Sequence, residues 1–82
     1  QHVGKRPLWI LERPLTLETL KGQPVHRGKL VLENGPERIE TGWWDGKDIR
    51  RDYYIARSLS GVRWWVFQDC RHSTWYLHGL FG

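Results

Sequence analysis

The chain has 82 residues, 13% of them aromatic, with six tryptophans, one cysteine and no methionine. That length allows one domain with one modest core, and a single cysteine rules out a disulfide within the chain. Thirteen Lys and Arg against nine Asp and Glu give a net charge of +4. This permits contact with nucleic acid without requiring it, and no apolar run reaches the roughly 20 residues a membrane-spanning helix needs.

So small a domain must gain its stability from its large rings, each able to bury roughly 150–250 Å². Ten of the eleven aromatic residues lie from Trp43 onward, so most of the core and the working face are expected in the second half. A lone cysteine without a signal-like segment fits a reducing, cytoplasmic compartment. The missing methionine, at position 1 as elsewhere, suggests a piece of a longer protein. Residues 1–5 read as a flexible N-terminus or cloning remnant, and residues 6–82 as a single small β domain.

In chain order, residues 8–11 form a short apolar strand that Pro14 ends. Residues 15–17 resume an extended path or, with Leu20, make one helical turn; Pro14 and Gly22-Gln23-Pro24 leave space for no more. Residues 29–33 form a strand closed by a turn at Asn34-Gly35-Pro36. Residues 37–44 form the next, with Ile39, Thr41 and Trp43 on one face and Glu40 and Trp44 on the other. Asp45-Gly46 suits a tight turn. In the strand at 50–57, Tyr53 and Ile55 lie opposite Asp52, Tyr54 and Ala56.

Leu59-Ser60-Gly61 turns the chain into residues 62–69, where Trp64-Trp65-Val66-Phe67 is apolar on both faces, the mark of a central strand covered on both sides. Arg71-His72-Ser73 is the last turn and residues 74–81 the last strand. The fold class is all-β: a small antiparallel meander forming a curled sheet or small barrel, with the N-terminal extended segment packed on it.

Catalytic and metal chemistry find little footing. His2, His26, His72 and His78 are scattered without zinc spacing, and no cofactor is implied. Asp45, Asp48 and Asp52 match neither an EF-hand nor a two-metal site. Asp45 reads as a turn former, and Asp52 as a partner for Arg50 or for a basic residue across the sheet. Ser73 and Cys70 are turn residues without a nucleophile elbow, which leaves His78 as a half-buried histidine with one hydrogen-bond partner.

The aromatic doublets are more informative. In a strand, one ring of each of Trp43/Trp44, Tyr53/Tyr54 and Trp64/Trp65 faces the core and the other the opposite face. Three such rings beside Arg50, Arg51, Arg57 or Arg63 would make a protein hot spot or a base-stacking platform. The competing expectation is that the N-terminal segment, with Leu8, Trp9, Ile10, Leu30 and Leu32 to bury, crosses that face. The candidate partner-binding residues are Trp43, Trp44, Arg50, Arg51, Tyr53, Tyr54 and Trp65. Leu77-His78-Gly79-Leu80-Phe81 resembles sliding-clamp peptides ending in Leu-Phe, but its neighbours Trp75-Tyr76 favour a strand.

Four blocks occur together in this order: Gly35-Pro36-Glu37-Arg38-Ile39-Glu40-Thr41-Gly42-Trp43-Trp44-Asp45-Gly46; Arg50-Arg51-Asp52-Tyr53-Tyr54-Ile55-Ala56; Trp65-Val66-Phe67; and Trp75-Tyr76-Leu77-His78-Gly79-Leu80-Phe81. With Arg6-Pro7-Leu8-Trp9-Ile10-Leu11, they resemble the C-terminal domain of bacterial ImuB proteins. That resemblance implies a non-catalytic adaptor of the SOS-induced mutasome, from a family similar to Y-family translesion polymerases. The implied partners are the RecA-like ImuA, the error-prone polymerase ImuC and the sliding clamp, with a bacterial cytoplasmic, nucleoid-associated setting during DNA damage. No polymerase motif is present, so no catalytic residue carries over. From the rings and arginines themselves, single-stranded or primer-template DNA is the alternative partner; no membrane or small-molecule substrate is called for.

Overall fold

The computed structural model describes residues 7, 9–41 and 49–81, and among them are seven strands. They are β1 (Trp9–Thr16), β2 (Glu18–Leu20), β3 (Gln23–Val25), β4 (Leu30–Thr41), β5 (Ile49–Ser58), β6 (Arg63–Asp69) and β7 (Thr74–Phe81). Five form one antiparallel sheet in the order β1-β7-β6-β5-β4, and β2 and β3 form a separate hairpin. The all-β meander expected from alternation and turn spacing is thus present. The sheet stays open, with β1 and β4 as its edges.

β6 is the middle strand, paired with β5 along one side and β7 along the other. Its apolar run explains the position, since Val66 and Phe67 point to opposite faces and both are buried. On one face Leu17, Leu30, Ala56, Val66, Trp75 and Leu77 form the aliphatic core, joined by Leu11, Leu32, Tyr54 and Trp64. The β2–β3 hairpin lies over this core. Leu17 leads into it with a backbone bond from its N–H to the Trp75 carbonyl at 2.9 Å, Pro24 is fully buried, and the His26 ring meets Trp64 edge-on at 4.8 Å.

Two local expectations are corrected and one open alternative is decided. Pro14 does not end the first strand: β1 runs on to Thr16, with its pairing to β7 shifted between Ile10 and Leu15. As an edge strand it has a partner along one side only, where a missing N–H is tolerated. Of the two paths open to residues 15–20, the extended one is present, as the end of β1 followed by β2. Asn34-Gly35-Pro36 is not a turn between two strands but an irregular stretch inside the continuous β4, with register shifts on both sides of Asn34. Gly35 makes this possible: at φ 123° a Cβ there would lie 2.6 Å from the Tyr53 carbonyl oxygen, a conformation and an approach that favour glycine.

Candidate functional site

The second face of the sheet, opposite the hairpin, is built from rings. Tyr53 on β5 and His78 on β7 reach across β6. The tyrosine hydroxyl lies 2.9 Å from His78 Nδ1, and both rings stack on the Trp65 indole, at 4.4 Å and 25° for Tyr53 and 4.9 Å and 6° for His78. Beside them Phe67 stacks with Tyr76 at 5.0 Å, and the Arg51 guanidinium sits 4.4 Å above the Phe67 ring. Strand spacing accounts for these contacts, since direct and diagonal neighbours across an antiparallel pair lie within reach of aromatic and long side chains. The register shift between Trp65 and Val66 falls opposite His78; such a bulge re-aims a side chain.

The polar atoms form a chain. Arg51 donates from a terminal guanidinium nitrogen to the Tyr53 oxygen at 3.1 Å, and the same hydroxyl shares a hydrogen bond with His78 Nδ1, with the donor set by the imidazole tautomer. Burial lowers the His78 pKa below its ordinary 6.5, and the Arg51 charge adds to the effect. The histidine therefore has the one hydrogen-bond partner expected of it.

Cross-strand ion pairs hold several of the sheet's arginines. Glu33 takes Arg57 at 2.7 Å and Arg63 at 2.9 Å, and those hydrogen bonds lower its pKa. Asp52 takes the Arg38 Nε at 2.8 Å, which lowers the aspartate pKa in the same way. Asp52 thus has its partner across the sheet, and that partner is Arg38. On the core side, an apolar recess of about 180 Å³ opens between Trp9, Leu11, Trp64, Leu77, Gly79 and Leu80.

Of the seven candidate residues, the structure brings Arg51, Tyr53 and Trp65 together on the ring face. Tyr54 lies on the core side, against Trp75 at 5.3 Å, and Arg50 is exposed next to Arg51. Trp43 and Trp44, with Asp45 and Asp48, lie outside the described residues. Tyr53 is only 4% exposed, so it supports the face from beneath; Arg51, Trp65, Tyr76 and His78 are the partly exposed members. Phe67, Tyr76 and His78 are ring-face residues outside the seven candidates, although alternation within Trp75-Tyr76 already separates Tyr76 from buried Trp75. Plain alternation from Trp65 places Phe67 on the ring face. The last segment is β7, with Leu77 and Phe81 buried, as the strand reading required.

These features define a class: an open antiparallel all-β domain with an aliphatic core on one face and an aromatic, arginine and histidine cluster on the other. Among the described residues no three His, Cys, Asp or Glu side chains could share a metal ion, and no helix is long and apolar enough to cross a membrane. No family model matches the chain, and no solved structure matches it. Among curated proteins the chain is similar to Protein ImuB from two strains of Caulobacter vibrioides, at 36% identity over 82 residues in each case. The match takes in 84% of this chain and 17% of the relatives' length. The chain is an ImuB-related domain, and it spans under a fifth of the proteins it matches.

Proposed function

We propose that this domain is a non-catalytic interaction module of an ImuB-type translesion-synthesis subunit, and that the ring face of β5, β6 and β7 docks another protein of the mutagenesis complex. The supporting observation is the cluster of Arg51, Trp65, Tyr76 and His78, partly exposed over buried Phe67 and Tyr53. Aromatic and arginine side chains on a rigid, packed base are what interface anchors are made of. Their side-chain freedom is already restricted in the free domain, so little ordering remains to oppose binding.

The alternative, single-stranded or primer-template DNA stacked on these rings, fits the face less well. A stacking platform needs open ring faces, whereas Tyr53 and His78 are stacked on Trp65, and Phe67 is flanked by Tyr76 and Arg51. The nearby Arg57 and Arg63 are held by Glu33, so they are poorly placed to meet phosphates.

The partners expected for an ImuB-type subunit are an ImuA-like protein, an ImuC-type polymerase and the sliding clamp. The test is a two-dimensional NMR titration of the labelled domain with each of them and, separately, with single-stranded DNA. Shifts with one protein, grouped at Arg51, Trp65, Tyr76 and His78, are the expected result. Shifts of these residues with DNA alone, lost as salt rises, would overturn the adaptor reading.

A further inference from the structure

The basic residues of this chain are sorted by place. On the sheet, Arg38 is bound to Asp52, and Arg57 and Arg63 to Glu33. The small hairpin and the loop after it carry a different set: Lys21, Arg27 and Lys29, all exposed. Between Glu18 and Glu33 the sequence contains no acidic residue, so Glu18 at the start of β2 is the one carboxylate set among these three cations.

Two of these cations stand in backbone conformations that basic residues seldom take. Leu20 pairs with Gln23, which makes Lys21-Gly22 a two-residue loop, and both have positive φ, 53° and 80°. That is the primed hairpin turn in which asparagine is the usual first residue. Arg27 repeats the pattern at φ 56°, followed by Gly28 at 115°, in the loop closed by the bridge between Val25 and Lys29. A non-glycine residue in this region costs of order 1 kcal/mol, and such strain collects at functional sites. Asn or Gly would satisfy both turns at less cost, so the fold by itself gives no reason for Lys and Arg there.

The mounting is rigid. Pro24 is fully buried, Leu17 is in the core, and His26 packs on Trp64. Three-residue strands at about 3.3 Å per residue put roughly 10 Å of strand between the two turns, so cations at both ends can reach different phosphates along one nucleic-acid strand.

We propose that Lys21, Arg27 and Lys29 form a second binding surface, independent of the ring face, that holds the phosphate backbone of a nucleic acid without reading its sequence. Each cation that neutralises a phosphate releases counterions, and this supplies the affinity and makes it fall with salt. The occupant fits the observations because the arm carries exposed point charges, while its one ring, His26, is packed against Trp64.

The test is fluorescence anisotropy of a labelled duplex and a labelled oligo-dT with the domain across a salt series. It is repeated with Lys21→Asn/Arg27→Asn/Lys29→Gln, and with Arg51→Ala as the ring-face control. Wild type should bind at low salt with a log K against log salt slope set by two or three phosphates on duplex, at about 0.9 per phosphate. The triple variant should lose that binding while melting no lower than wild type, because Asn relieves both turns. Arg51→Ala should bind as wild type does. Absence of binding at low salt, an unchanged slope in the folded triple variant, or equal affinity for a poly-glutamate peptide of the same length would each overturn the assignment.

Discussion

The two faces of this sheet meet the same requirement, covering strands too few to bury themselves, by different chemistry. On one face aliphatic and tryptophan side chains are capped by a hairpin, and Ala56 and Val66 are fully buried. On the other, rings cover one another, and a string of polar groups from Arg51 through Tyr53 to His78 runs among them. The first arrangement is closed. The second keeps a buried floor of Tyr53 and Phe67 and a partly exposed upper layer, so the same rings both stabilise the sheet and remain available to a partner.

Substitutions divide the two layers. Phe67→Ala should be among the most damaging single changes, costing about 3–5 kcal/mol by removing a buried ring. Trp65→Ala, from the upper layer, should cost clearly less in denaturant unfolding. Equal costs would mean that the ring face is a second core rather than a surface. Gly35→Ala should destabilise by more than about 1 kcal/mol, since the native φ is positive and the new methyl group meets Tyr53 backbone. A melting temperature equal to wild type would show that the β4 irregularity does not hold the ring face in place.

Tyr53→Phe keeps the ring and removes the hydroxyl, and should cost about 1 kcal/mol. It should also remove the hydrogen bond at His78 Nδ1, a change visible in the imidazole nitrogen shifts. The pH effect is the smallest. His78 and His26 both have pKa values lowered by burial, so the unfolded chain takes up protons more readily than the folded one. The resulting stability is fully present above pH 6.5 and falls as pH drops from there toward the lowered folded values. His78→Gln should flatten that decline as followed by urea unfolding between pH 7.5 and 5.

The sequence exposed the strands of the second half because their alternation is regular and their turns are short. The central place of β6 follows from an apolar run that no solvent-facing strand could carry, and β7 appears with the bounds expected of it. Tyr53 and Tyr54 were separated onto two faces by alternation alone. The N-terminal half was harder. Proline and Asn-Gly-Pro punctuate a sequence strongly, yet at a sheet edge and in a bulge the backbone absorbs them, so β1 and β4 run through signals that elsewhere end strands. The contacts of Arg51 with Phe67, and of His78 with Tyr53, depend on register across three strands, which composition and spacing do not encode.

The central claim is that the upper layer of the ring face binds a protein partner. The most direct measurement is the dissociation constant of the partner found by titration, compared for wild type, Trp65→Ala and Leu20→Ala, with each variant first shown to be folded. Loss of an anchor is worth about 2 kcal/mol or more, so Trp65→Ala should weaken binding by about 30-fold or more. Leu20→Ala, on the far side of the molecule, should leave binding unchanged. Wild-type affinity in a folded Trp65→Ala variant would contradict the account.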